Sequence, residues 1–259
     1  MQKEKNSLRI EFLQIELIQP KFLDSITALS CKPQEIVVYY GKGGIGKSRL
    51  LQQLYNDSDK IYSSVKEYLF HNVFLSFNAR EINNEIDIMM ALRNKLCGDG
   101  GLFDYAVINY WAKAKFTLDE IKYKNSTLSR AVHKIIDDAI ALGNGSMTIP
   151  MFVVNESRDL IKDGRIQSEN KDEIEEISSL TAEEIFVRLP YYLGLCFSAA
   201  AKKVDMHVFF FDGYECIKKT NQSVDWFMEF LASCELLRAC IASRDKLRWG
   251  RRTRVGMMF

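Results

Sequence analysis

Four short apolar runs bounded by polar residues punctuate the chain: Ile36–Tyr40, Val73–Phe77, Met206–Phe211 and Leu237–Ala242. Apolar on consecutive positions, runs of this length predict strands buried on both faces, as in a parallel sheet. Between the second and third runs the period changes. Ile82, Ile86, Met89 and Leu96 lie along one helical stripe, and Phe103, Ala106, Tyr110 and Ala114 fall near one face of a second helix. Leu128, Val132, Ile135, Ile136 and Ala139 mark a third, stopped by Gly143 and Gly145. A parallel crossover needs only about a dozen residues, so residues 78–205 predict a large helical insertion. Within it, "KDGRIQSENKDEIEEISSL" is polar and charged and reads as a solvated loop or helix. Thr181 and Glu184 have the spacing of a capping box. Pro190 predicts a kink or restart in the helix that follows, and the apolar continuation "YYLGLCFSAAAKKV" is expected to back the sheet. Near the amino terminus, Ile10, Phe12, Ile15 and Leu17 in "RIEFLQIELI" fit a strand or a helix equally well.

The first apolar run leads into the clearest chemistry. "IVVYYGKGGIGKSRLLQQL" places a glycine-rich loop between a strand and a helix, and Gly41, Gly46, Lys47 and Ser48 satisfy G-x-x-x-x-G-K-[ST]. Phosphates need several backbone N–H groups converging on one point. That calls for a chain free of Cβ atoms, as at Gly41, Gly43, Gly44 and Gly46. The helix expected over about Lys47 to Tyr55 aims its amino-terminal dipole at the same point and buries Leu50, Leu51 and Leu54. The loop from Gly41 through Lys42, Gly43, Gly44, Ile45 and Gly46 to Lys47, Ser48 and Arg49 is thus a candidate nucleotide cradle. Lys47 would reach the β- and γ-phosphates of ATP, and the Ser48 hydroxyl would ligate Mg²⁺.

Two further strand ends complete a candidate site. The third run ends "HVFFFDGYE", so Asp212 follows directly on a buried strand, where its carboxylate can face a metal held by Ser48. The fourth ends "CIASRDKLRW", and Arg244 leaves that strand at the edge where ligands of parallel sheets bind. A guanidinium there can fork onto a terminal phosphate.

Composition narrows the class. The chain of 259 residues is 47% hydrophobic and 27% charged with a net charge of +1, enough for a sizeable core and no basis for a nucleic-acid or membrane surface overall. Its amino terminus is too charged for a signal peptide, and no apolar stretch approaches the roughly 20 residues that span a bilayer. Cys31, Cys97, Cys196, Cys216, Cys234 and Cys240 form no close Cys-x-x-Cys pair, and most have apolar neighbours, as expected of reduced thiols in a cytoplasmic protein. His71, His133 and His207 are scattered, without metal-ligand spacing.

Together, "GKGGIGKSRLL", "FFFDGYE" and "IASRDKLRW" resemble the STAND branch of AAA+-related P-loop ATPases, the signal-transduction ATPases with numerous domains, and most of all its prokaryotic members. The resemblance implies an α/β, three-layer P-loop fold of the additional-strand type with a mostly parallel sheet. It also implies binding of ATP or ADP with Mg²⁺ and a switch function joined to an effector on one side and sensor repeats on the other. Slow hydrolysis is expected of this chain, with either self-association or an effector or sensor partner. Lys47 and Ser48 match the Walker A positions, Asp212 the Walker B aspartate, and Arg244 the arginine after the sensor strand. Relatives often place a second acid directly after the Walker B aspartate. Here that position is Gly213, and Glu215 is the next carboxylate and the candidate to position water. A non-hydrolysing, nucleotide-gated interaction module is the alternative.

"KGGIGKS" also fits the deviant Walker A of partition-type ATPases, in which Lys42 would act across a dimer. Those relatives usually carry a second hydroxyl residue where Arg49 stands, and an aspartate pattern where this chain reads "SFNAREINNEID". The expected organisation is an amino-terminal segment, 1–33, a nucleotide-binding domain, 34–250, with its insertion at about 80–204, and a basic tail, 251–259. Arg251, Arg252 and Arg254 are too few to predict nucleic-acid binding. The resemblance further suggests that the chain stops before the family's fifth strand, lid and winged helix. Ile36–Tyr40 is then expected to be an exposed edge, unless Arg9 to Ile18 folds back as a substitute strand.

Overall fold

The apolar runs all form strands, with ends shifted by up to three residues from the predicted ones. The computed structural model describes residues 9–14, 34–63, 70–78, 84–96, 101–122, 130–141, 149, 151–160, 171–201, 206–220, 225–235 and 237–245. Strands β1 (Arg9–Gln14), β2 (Gln34–Tyr40), β3 (Phe70–Ser76), β4 (Met206–Asp212) and β5 (Leu237–Ser243) build one five-stranded sheet in the order β1-β2-β5-β4-β3. Every neighbouring pair is parallel. The fold is therefore α/β with an all-parallel sheet.

The ambiguous amino-terminal pattern resolves as strand over Arg9–Gln14; Ile15 and Leu17 lie outside the described residues. β1 pairs along β2 from Arg9↔Glu35 to Gln14↔Tyr40, and β5 flanks β2 on its other side. The loop-bearing strand is thus interior, not the exposed edge that was one expectation. β1 satisfies the backbone N–H and C=O groups that an edge would leave unpaired. Residues 9–14 accordingly share the sheet with the segment from residue 34 onward.

The chain divides into two compact units, residues 1–88 with 201–259, and 89–200. In the first, helix α1 (Lys47–Ser63) covers one face of the sheet, eight residues longer than the predicted end at Tyr55. Its Leu51 packs into a buried cluster with Val37, Tyr39, Val208, Phe210, Cys240 and Ala242, the side chains that the register sends to that face. The opposite face is aromatic. Phe209 and Phe211 stack at 5.5 Å between ring centroids and meet the edges of Phe230 and Phe227 from a carboxyl-terminal helix, Asp225–Ser233. Helices on both sides of a parallel sheet explain why the strands are apolar at consecutive positions.

The second unit is helical, as the insertion predicts. Helix α2 (Glu85–Asn94) runs into it, and Ile82 of the predicted stripe lies outside the described residues. Helix α3 (Gly101–Lys113) is buried on nearly all sides rather than on one stripe. Its Asp104 takes two hydrogen bonds from Arg93, at 2.8 and 2.9 Å, so the one deeply buried charge on α3 is matched by a forked partner. Helices α4 (Leu118–Lys122), α5 (Arg130–Ala139) and α6 (Met151–Leu160) follow; Leu128, Gly143 and Gly145 fall outside the described residues. The charged segment contains helix α7 (Lys171–Ser179), which buries Ile174 and Ile177. The capping box is present: Thr181 N–H donates to Glu184 Oε2 at 2.8 Å, and Glu184 N–H donates to Thr181 Oγ1 at 3.3 Å. Helix α8 (Ala182–Ala201) passes through Pro190 without restarting. Proline removes one helical hydrogen bond, and here Leu189, Tyr192 and Leu193 are fully buried around it, so packing holds both halves in one helix. The helix expected to back the sheet is part of this second unit, in which Cys196 Sγ accepts the N–H of Phe103 at 3.4 Å.

No helix among the described residues is long and apolar enough to cross a membrane. Cys196, Cys234 and Cys240 are buried thiols outside any disulfide and Cys216 is half-buried; Cys31, Cys97 and the basic tail lie outside the described residues.

Candidate functional site

A parallel sheet brings the carboxyl ends of all its strands to one edge, and ligands of such sheets bind outside that edge. The register aligns Tyr40 with Ser243 and Ser76 with Asp212. The residues that leave these ends therefore converge: the glycine loop after β2, Asn78 after β3, Asp212 at the end of β4 and Arg244 after β5. They enclose a cavity of about 330 Å³ lined by Gly43, Gly44, Gly46, Lys47, Ser48, Arg49, Asn78, Asp212, Gly213, Glu215, Ala242, Ser243 and Arg244.

The loop turns into α1 without a break. Leu50 N–H donates to Gly46 O at 2.8 Å, the first bond of the helix. The amide groups before it have no intrahelical acceptor and lie at the positive end of the helix dipole. Gly46 has a φ of 92°, a left-handed conformation that a side chain would strain. Lys47 is buried, and its ammonium donates to Gly41 O at 2.7 Å and Lys42 O at 2.8 Å. These carbonyls use two of its three donors. Burial pulls its pKa below the ordinary lysine value; the Glu215 and Asp212 carboxylates oppose that shift, and the Arg244 guanidinium adds to it.

Ser48 and Asp212, 164 positions apart, meet at this edge: the Ser48 hydroxyl donates to Asp212 Oδ1 at 2.9 Å. One hydroxyl and one carboxylate oxygen form a hard donor set that suits Mg²⁺, which keeps several waters and takes its other ligands from phosphates. Among the described residues no group of three or more His, Cys, Asp or Glu side chains could hold a metal.

Glu215 and Arg244 also come together, though not as a free acid and a free sensor. Arg244 Nε lies 3.1 Å from Glu215 Oε1, and the backbone N–H of Arg244 donates to Glu215 Oε2 at 3.0 Å. Both carboxylate oxygens are therefore engaged by one residue.

Gly41, Lys42 and Ile45 do not line the cavity. Gly41 and Lys42 supply carbonyls to Lys47, and Ile45 is exposed, its Cδ1 2.8 Å from where a Cβ on Gly41 would sit. Sequence reasoning missed Asn78. Its Oδ1 accepts the thiol of Cys216 at 2.8 Å, and its amide lies against Gly213, whose φ is 73°. The signal was available, because Asn78 stands beyond an apolar run as Asp212 does. The chain matches no protein-family model, no curated protein and no solved structure.

Proposed function

We propose that this chain binds Mg·ATP at the edge formed by the glycine loop and β4, and acts as the nucleotide-binding part of a STAND-type switch with low turnover. The observation that carries the reading is the contact between Ser48 and Asp212 directly beside a glycine-rich loop. Nothing local requires a hydroxyl after a loop lysine to meet a carboxylate from a distant strand, whereas coordination of a phosphate-bound metal does. The strand order, with β5 between the loop strand and β4, is the order expected of an additional-strand P-loop core and supports the finer fold assignment.

In this reading the loop amides and Lys47 hold the phosphates, with the third ammonium donor of Lys47 available to them. Ser48 and Asp212 hold Mg²⁺, which would offset phosphate charge. Arg244 reaches the terminal phosphate. The second reading, a module that binds without useful hydrolysis, is favoured by one feature: the nearest carboxylate that could position water, Glu215, is held through both oxygens by Arg244.

Titration of the purified chain with ATP and ADP, with and without Mg²⁺, tests the proposal, and a phosphate-release assay separates its two forms. A charge-assisted contact to phosphate contributes about 1.5–3 kcal/mol, so Lys47→Ala is expected to weaken ATP binding at least about tenfold. Unchanged affinity in a folded Lys47→Ala variant refutes the phosphate-loop reading.

A further inference from the structure

We infer that Glu215 is the positioning residue for Arg244: it presets the guanidinium over the glycine loop so that the chain distinguishes a nucleoside triphosphate from a diphosphate. This rests on the nucleotide-binding reading above and assigns Glu215 a different task from that of a free general base.

The geometry is specific. Glu215 is only 14% exposed in its side chain, whereas Arg244 is 68% exposed. The fixed partner is therefore the glutamate. It grips Arg244 at two points of different kind, the backbone N–H and Nε. The first anchors the turn after β5, and the second sets the plane of the guanidinium. The ion pair meets the guanidinium at Nε, and the guanidinium also carries two terminal nitrogens. They are the fork that binds a phosphate through two parallel hydrogen bonds. The guanidinium lies beside the loop: a Cβ on Gly43 would stand 3.8 Å from Arg244 Nε and 3.9 Å from its Cζ.

An unrestrained arginine would lose much rotamer freedom on taking hold of a phosphate. Holding one rotamer-rich side chain in place beforehand is worth about three- to tenfold in affinity. That gain accrues only to a ligand whose terminal phosphate Arg244 contacts. Diphosphate binding, carried by the loop amides and Lys47, does not draw on it. An effect of Glu215 routed through Lys47 does not need the Arg244 guanidinium and would persist in an Arg244→Ala background.

The test is a set of ATP and ADP titrations of the wild-type chain, Glu215→Ala, Glu215→Gln, Arg244→Ala and the double variant Glu215→Ala/Arg244→Ala, with melting curves as the folding control. Expected is an about three- to tenfold fall in the preference for ATP over ADP in Glu215→Ala. Glu215→Gln, whose amide oxygen still accepts one N–H, should retain more of the preference. Adding Glu215→Ala to Arg244→Ala should lower the ratio no further. A ratio unchanged or raised in both Glu215 variants overturns the inference, as does additivity in the double variant. Equal affinity of the wild-type chain for both nucleotides overturns it while leaving nucleotide binding intact. Failure of the wild-type chain to bind either one overturns both.

Discussion

Gly213 follows Asp212 directly at the end of β4, and replacing it tests whether the turn there is imposed by the backbone. Its φ of 73° lies in the left-handed region. A side chain in that conformation costs about 1–2 kcal/mol. A Cβ added at Gly213 would also stand 2.8 Å from Asn78 Cγ and closer still to its Nδ2. Asn78 is exposed and can rotate away, so the clash itself is cheap. The rotation breaks the hydrogen bond from Cys216 Sγ to Asn78 Oδ1, worth about 0.5–1 kcal/mol at an exposed site. Gly213→Ala is therefore expected to destabilise the chain by about 1.5–3 kcal/mol. Urea unfolding of wild type, Gly213→Ala, Asn78→Ala and the double variant measures it. In the Asn78→Ala background only the backbone cost should remain, leaving a coupling of about 0.5–1 kcal/mol between the two sites. Full stability in Gly213→Ala would refute the left-handed turn. A single-variant loss with no coupling would refute the packing of Asn78 on Gly213. Gly213→Glu should suffer the same loss and gain no turnover, because the strained turn gives the new acid no fixed direction.

Asp212→Asn is expected to remove the Mg²⁺ dependence of nucleotide binding, measured by titration with and without the metal, while leaving the melting temperature near wild type. Glu85 is buried at the start of α2, and burial pushes its carboxyl up from the usual glutamate range to about 7. The folded state then holds its proton where the unfolded state has lost it, so stability should fall as pH rises from the ordinary glutamate value through about 7. Melting temperatures across that range should show the fall in wild type and a flatter profile in Glu85→Gln, which should be the more stable of the two above pH 7. Parallel profiles would remove Glu85 as its source.

The local features of this protein were legible because their causes are local. The glycine loop, Lys47 and Ser48 stand within a single strand–turn–helix, where steric freedom and the helix dipole act over a few residues. The capping box of Thr181 and Glu184 is a reciprocal bond over three positions and forms as the spacing predicts. Runs apolar at consecutive positions foretold strands with both faces covered. The charged segment and the aromatic helix were less legible. Burial on all sides of α3 and the helical state of α7 depend on what packs around them, which a stripe count cannot register. Of the kink or restart expected at Pro190, the restart does not occur, because buried neighbours outweigh one missing hydrogen bond.

Pairing was decided only in three dimensions. An ambiguous alternation at Arg9–Gln14 became a strand because β2 had an edge to fill. Sequence order predicted Asp212 near Ser48, and the parallel register brought them to 2.9 Å. The engagement of Glu215 by Arg244 and the packing of Asn78 on Gly213 join strand ends that are remote along the chain. Which polar residues meet at the edge of a sheet depends on strand order and register, and those are settled by the burial of the whole sheet rather than by the residues that meet there.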